Sequence, residues 1–455
     1  MITLMTGSNQ KNISDKMITN DQKELAHWLK SYVLRQGAQA CRIGIFSGSD
    51  SSFEVRDGRI EQLQQAEENQ LVGYLFVDGR YGSFSTNRLE KSELERFFSH
   101  AIASTRLLAI DEARHLPNAG RYYKGNDAFL SLYDPTIAAL DPDAKLQAAF
   151  RAAAEVDRSD ERIISVASAY GDNESYSYLI DSKGLEAESA ASSCGLSVSV
   201  SVRGIEDARP EAYWYDQSLS WKSLQKEGIG TMALQRALMK IGQRKIQSAT
   251  YPMLVDRNEV RTLLSPMMGA LSGAALQQNN SFLINKQGQK VCSDKMTLND
   301  CPLLPRTIGA RCFDREGIAL ESRSVFEKGI LNNYYIDTYI AHKLGVEPTT
   351  GSASVLQFEL GDANREALLA RIGTGVLITG FNGGNCNSST GNFSYGIEGF
   401  WIERGEIQYP IGEMNITGNM LSLWGQLMEV GNDPIYASSW QTPSLLFDAV
   451  DFNGL

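Results

Sequence analysis

The chain of 455 residues is long enough for two or three domains, and with 42% apolar and 21% charged residues it has ordinary globular composition. Forty-three Lys and Arg against 54 Asp and Glu leave a net charge of −11, which argues against direct nucleic-acid binding, because that affinity comes from cations gathered on phosphates. No run approaches about 18 apolar residues, so a membrane-spanning helix is excluded; Met1 to Lys30 has no apolar signal core, and a cytoplasmic location with no membrane partner is expected.

Residues 1–20 read as a disordered polar start. From Asp21 to Arg35, Leu25, Trp28, Leu29, Tyr32 and Val33 recur at helical spacing. Alternating segments then flank Asp57-Gly58 and Asp78-Gly79, two hairpin signals. A second helix is predicted over 90–108, closing an N-terminal α+β domain at 21–115. An irregular connector leads to Asp141-Pro142, which reads as an N-cap followed by Pro at the first helical position. Alternation from Arg162 to Gly204 predicts a strand meander with turns at Gly171-Asp-Asn and at Asp181 to Gly184. A helix is predicted from Trp221 to Ile246, completing a middle α+β domain at 125–247. Its basic run, Arg236, Lys240, Arg244 and Lys245, lies at a helix C-terminus, where cations complement the dipole.

The remainder, 250–455, reads as a large β-rich domain. Asp256-Arg-Asn-Glu259 resembles a capping box opening a helix over Asp256–Gln277, with Val260, Leu263, Leu264, Met267, Met268 and Leu271 on one face. A helical insertion is predicted over 361–371. The fold class is therefore α+β: helix-plus-antiparallel-meander units followed by a β-rich C-terminal domain. Open-edged sheets in the first two units predict a dimer, because exposed strand edges invite cover.

Chemistry is restricted by four histidines, His27, His100, His115 and His342, and by six cysteines without a Cys-x-x-Cys pair. In a cytoplasmic chain such cysteines are buried thiols. The tract from Gly373 to Gly384 lacks a P-loop Lys and precedes its strand, so its glycines read as turns and bulges. The serine-rich runs form no Gly-x-Ser-x-Gly elbow. His342, beside Lys343, reads as an exposed helix residue. A catalytic zinc needs about three protein ligands and a base for its water. Beyond Tyr251 the chain offers one His and four Cys, with Cys292, Cys301 and Cys312 too widely spaced for a compact thiolate site.

Long stretches nevertheless carry a specific resemblance. Phe313-Asp-Arg-Glu-Gly through Ser324, Gly329 to Gly345, Gly391 to Pro410, Ile411 to Met420 and, near the start, Glu54 to Glu61 make the chain similar to the TldD/PmbA (TldE) family, whose members carry the name of DNA gyrase modulators. The PmbA/TldE branch is nearest. The resemblance implies a metallopeptidase system of two homologous subunits. The TldD type binds a metal through a His-Glu-x-x-x-His helix and a distal Cys; the TldE type lacks those ligands. Here the matching helix places Leu264, Ser265, Pro266, Met268 and Gly269 at the degenerate positions, and no Cys follows Cys386. The resemblance thus implies a non-catalytic subunit with no cofactor of its own, zinc belonging only to a TldD-type partner. The implied partners are that subunit and a peptide or unfolded protein substrate, in a homo- or heterodimer. Gly383, Gly384, Asn385 and Tyr395 are candidate peptide-groove or turn residues. A self-sufficient metallopeptidase and a peptide-binding regulatory homodimer are the alternatives.

Overall fold

The computed structural model describes residues 18–125 and 128–454. The disordered start expected over 1–20 therefore lies, up to residue 17, outside the described residues. Its last positions are ordered: Thr19 caps the first helix in a capping box with Gln22.

Helix α1 (Asn20–Arg35) leads into strands β1 (Ala40–Arg56), β2 (Arg59–Val77) and β3 (Arg80–Thr86), then α2 (Lys91–Thr105). Both Asp-Gly turns have two positive-φ residues, with Asp57 at 51° and Gly58 at 76°, then Asp78 at 51° and Gly79 at 73°, the tight hairpin geometry that matches strand twist. After the connector and the short α3 (Pro135–Ala138) comes α4 (Pro142–Ala154), whose cap Asp141 accepts from the Asp143 N–H as predicted. Strands β4 (Ile163–Asp181), β5 (Glu186–Val202) and β6 (Glu211–Ser218) precede α5 (Ile229–Met239).

The two halves share one antiparallel sheet, ordered β3-β2-β1-β4-β5-β6. β1 and β4 pair from Arg42 opposite Asp181 to Arg56 opposite Ala167. One sheet face is covered by helices: Leu29, Val33, Phe98 and Ile43 form one core beneath α1 and α2, and Ala149, Ala152, Tyr170 and Val198 another beneath α4 and α5. On the other face, Leu179, Ala187 and Ala191 meet Tyr122, Cys312 and Phe313.

Two local readings are corrected. Gly171-Asp-Asn is no turn; it runs through β4, with Gly171 opposite Ser52 on one side and Gly195 on the other. The buried Lys145–Asp172 ion pair at 2.6 Å helps hold it extended. The helix predicted over 221–246 is confined to α5, because Gly228 enters at φ 83° and the chain before it turns.

Strand β7 (Ala249–Val255) opens the C-terminal part. α6 (Val260–Ala270) and α7 (Gly273–Gln277) follow as two helices rather than one, since Ser272 caps α7 by accepting from Ala275 N–H. Glu259 makes no side-chain cap, so the capping box is also corrected; Asp256 accepts from Asn258 N–H and pairs with Arg365 at 3.3 Å. Next come β8 (Leu298–Asp300), β9 (Arg323–Glu327), β10 (Ile330–Leu331), α8 (Thr338–Leu344), β11 (Leu356–Phe358) and α9 (Arg365–Ile372). The chain ends with β12 (Gly375–Cys386), β13 (Asn392–Glu403), β14 (Glu406–Asn419), α10 (Met420–Gly425), β15 (Leu427–Val430), β16 (Trp440–Gln441) and β17 (Leu445–Gly454). β14, β13, β12, β7 and β17 follow one another, and β14 also pairs with β17, so these strands close into a barrel that leaves no free edge between them. Leu263, Leu264, Met267, Tyr395, Ile397 and Trp424 lie in its core cluster.

Candidate functional site

The α6 helix is positioned by its own apolar stripe. Val260, Leu263, Leu264 and Met267 are fully buried and Met268 is 8% exposed, which seats the helix on the barrel core and leaves Arg261, Ser265 and Gly269 in an exposed row four residues apart. Of the positions that the sequence resemblance matches to a ligand-bearing helix, Leu264 and Met268 are thus core, Pro266 is half-buried, and Ser265 and Gly269 face solvent. A Cβ built on Gly269 would meet nothing within 4 Å.

These residues do not fit a zinc ion. Zinc is held by imidazole, thiolate or carboxylate, and α6 supplies only aliphatic, thioether, hydroxyl and glycine groups at the relevant positions. Among the described residues no three His, Cys, Asp or Glu side chains gather where a metal could be held. Nor does a histidine ring hydrogen-bond a serine among them: His27 meets the Tyr178 hydroxyl at 3.0 Å, and His115 packs edge-on against His342 with ring centroids 5.1 Å apart. His342 is exposed on α8, as its sequence setting predicts.

The far wall of the site comes from the N-terminal sheet. On β6, Tyr213 and Tyr215 stack with centroids 6.1 Å apart. Their phenols are raised by burial, with Glu259 adding to both and Arg261 opposing beside Tyr215. Arg261 in turn lies 4.7 Å over the Trp440 ring, and Gln217 donates from Nε2 to the Ala437 carbonyl. Glu259, at the start of α6, is pushed up to about 7 by burial first and by Asp256 and Glu398, against the pull of Arg236 and Lys240. Lys240 bridges the halves, 2.7 Å from Glu398.

Beside this seam the sheet face turned away from the helices carries two adjoining hollows of about 420 and about 320 Å³, which share Ser52, Gly171, Gly195 and Gln217. The arrangement provides small residues on which a backbone can lie close, amides and tyrosines that exchange hydrogen bonds, and a carboxyl that changes charge near neutrality. It provides no activated nucleophile. Tyr213, Tyr215, Arg261 and Trp440 were not singled out from the sequence, and Glu259 enters there only as a helix-cap residue; the consecutive aromatics Tyr213-Trp-Tyr215 were the available signal.

The candidate turn residues sit on another element. Gly383, Gly384 and Asn385 are exposed at the far end of β12, and Gly384 lies opposite Tyr395 of β13. A Cβ on Gly384 would fall 2.1 Å from the Ser394 carbonyl oxygen, and its φ is 111°, so only glycine fits there without displacement. Tyr395 is 8% exposed and stacks on Phe393 at 5.6 Å, its hydroxyl raised to about 12 by burial. It belongs to the same apolar core as Leu264 and Met268, while the glycines stand outside that core.

Models of the PmbA/TldA metallopeptidase family match over residues 41–105 (domain 1), 135–241 (central domain) and 248–454 (C-terminal domain). A Haemophilus influenzae protein named Metalloprotease PmbA homolog is 29% identical over 427 residues, 92% of this chain and 93% of its own. A solved Bacteroides thetaiotaomicron structure, named as a candidate modulator of DNA gyrase, is 53% identical with a TM-score of 0.94, covering 96% of this chain and 100% of that one. TldE from Thermococcus kodakarensis shares the fold, with a TM-score of 0.85 at 20% identity over 94% of this chain and 100% of its own.

Proposed function

The chain belongs to the PmbA/TldD metallopeptidase family, and from that premise we propose that it is the non-catalytic, TldE-like subunit of a two-subunit peptidase acting on peptides or unfolded proteins. The observation that supports this reading is the donor chemistry of α6: Leu264, Ser265 and Gly269, the positions that the resemblance matches to a His-Glu-x-x-x-His helix, offer neither imidazole nor carboxylate. Zinc and the water it activates then come from a TldD-type partner carrying His-Glu-x-x-x-His and a distal Cys. This chain contributes surface that holds an extended substrate, through backbone groups at strand edges and the small-residue floor around Gly171 and Gly195.

The test is co-purification with such a partner. Metal content and cleavage of an unstructured protein are measured for each chain alone and for the pair. Cleavage that requires both chains, with zinc only where the partner is present, is the expected result. Chelator-sensitive cleavage by this chain alone would overturn the proposal in favour of a self-sufficient peptidase. Peptide binding by a homodimer that never yields cleavage with any partner would favour a regulatory module instead.

A further inference from the structure

We infer that a groove in the C-terminal part, away from the α6 seam, is a binding site for an uncharged, apolar stretch of extended polypeptide. This deepens the subunit reading and rests on it. The groove encloses about 880 Å³, within the range of ligand clefts, about 300–1,000 Å³. Its floor is aliphatic: Leu276 and Ile336 are each 6% exposed, while Leu344 at 37% and Val346 at 48% stand open at its side. Gly345 between them turns the chain at φ 67°, ending α8 so that Val346 lies beyond the helix.

The rim is made of amides. Gln277, Asn279 and Asn285 line the groove and are exposed. Among the described residues their side-chain amides have no hydrogen-bond partner. Each offers a donor pair and an acceptor, the same groups a peptide main chain needs. Asn279 and Asn285 sit at positive φ, 53° and 58°, in the left-handed region that Asn tolerates better than most residues. The floor is fixed from below, since the Tyr334 hydroxyl donates to the Leu283 carbonyl at 2.6 Å and accepts from Lys286 N–H at 3.0 Å.

Charge decides the occupant. Among the described residues lining the groove, Glu347 is the one that is charged, in a chain of net charge −11. An acidic segment is repelled there and a cation finds a single partner, so recognition rests on the aliphatic floor and the unpaired amides, which suit an uncharged apolar stretch. The mouth is concave and its open apolar residues are Leu344 and Val346, too few for the broad apolar core of an obligate dimer. Apolar side chains of the bound segment would fill the floor while its N–H and C=O groups meet the free amides.

The test uses the full chain and two fluorescein-labelled nonapeptides, one of Leu, Val, Ser and Asn, the other with its apolar residues replaced by Asp and Lys. Fluorescence anisotropy should show the neutral peptide binding at least tenfold tighter. Val346→Asp should weaken it tenfold or more and Gln277→Ala about threefold, with unchanged circular dichroism and melting temperature. Partner-dependent cleavage and sedimentation velocity are run alongside. If Val346→Asp leaves peptide affinity intact, or the charged peptide binds equally, the groove is not the site, although partner-dependent cleavage still upholds the subunit reading. If the variant instead loses self-association or pairing, the groove is a subunit interface and the inference fails. If peptide affinity falls as expected but no partner yields cleavage, the groove stands and the subunit reading fails.

Discussion

Grafting a metal site onto α6 should fail, and for reasons that can be costed. Leu264 is fully buried among the barrel core. Leu264→His removes about 2–3 kcal/mol of apolar burial, and an imidazole left without a hydrogen-bond partner costs about 1–3 kcal/mol more. The expected loss is about 3–6 kcal/mol, which for a domain of this size lowers the melting temperature by roughly 6–24 °C. Ser265→Glu and Gly269→His fall on the exposed row and should each move stability by about 1 kcal/mol or less, with Gly269→His offset by helix propensity. The triple variant L264H/S265E/G269H should therefore melt like Leu264→His alone. It still lacks a third strong ligand, because no Cys follows Cys386. After dialysis against zinc, atomic absorption should find well below one equivalent, and peptide cleavage should be absent; Ser265→His alone should behave like wild type. The reasoning is refuted if Leu264→His costs under about 1 kcal/mol in urea titration. A single substitution that brings stoichiometric zinc and chelator-sensitive cleavage would refute it as well.

Lys145→Met should cost about 3–5 kcal/mol by stranding Asp172 in the core, whereas the double variant Lys145→Met/Asp172→Leu should recover most of that loss in the same urea titration. Glu259, raised to about 7 from an ordinary 4.5, keeps its proton in the folded chain while the unfolded chain releases it. Stability should therefore fall by about 1–2 kcal/mol from pH 4.5 to 7, discounted for partial exposure, and stay flat above; Glu259→Gln should abolish that slope in thermal melts at stepped pH. Gly384→Ala forces a Cβ against the Ser394 carbonyl and should cost about 2–4 kcal/mol, more than Gly383→Ala, where φ is 121° but the space is open; differential scanning calorimetry gives the order.

Local signals carried the first elements. The Asp57-Gly58 and Asp78-Gly79 turns, the α1 spacing and the Asp141 cap all reside in a few adjacent residues, and the structure has each of them. What escaped were pairings between distant residues. Nothing in Arg42 to Arg56 alone says that it will pair with Ala167 to Asp181 and fuse two units into one sheet. Gly171-Asp-Asn has turn chemistry by composition; a lysine on another element and glycine and serine neighbours on flanking strands overrule it. The apolar face of α6 was legible from spacing, and the positions singled out along it came from the resemblance alone. The wall opposite was not, because β6 is a short strand whose partners become visible only when the halves pack.

The seam between the N-terminal sheet and the barrel bears on why a chain with no metal-ligand cluster among its described residues would keep this architecture. Lys240 and Glu398, 17% and 27% exposed, form a tie that is less screened than an ordinary surface pair, whose value is about 0–1 kcal/mol. Arg244 adds a second, lying 3.5 Å over the Tyr409 ring while its N–H donates to the Pro410 carbonyl. Both ties connect the α5 end of the N-terminal sheet to barrel strands, so they fix the separation between Tyr213 and Tyr215 on one side and the exposed row of α6 on the other. A cleft fixed in this way loses little conformational freedom when something enters it, and the ordering cost falls on the guest. On the proposed reading a metal-binding subunit would use the matching helix to hold its ion, and here the small groups at Ser265 and Gly269 offer none of the ligands for one. On the proposed reading, the rigid frame is retained because holding an extended chain in place is a separate task from cutting it, and only the second needs zinc.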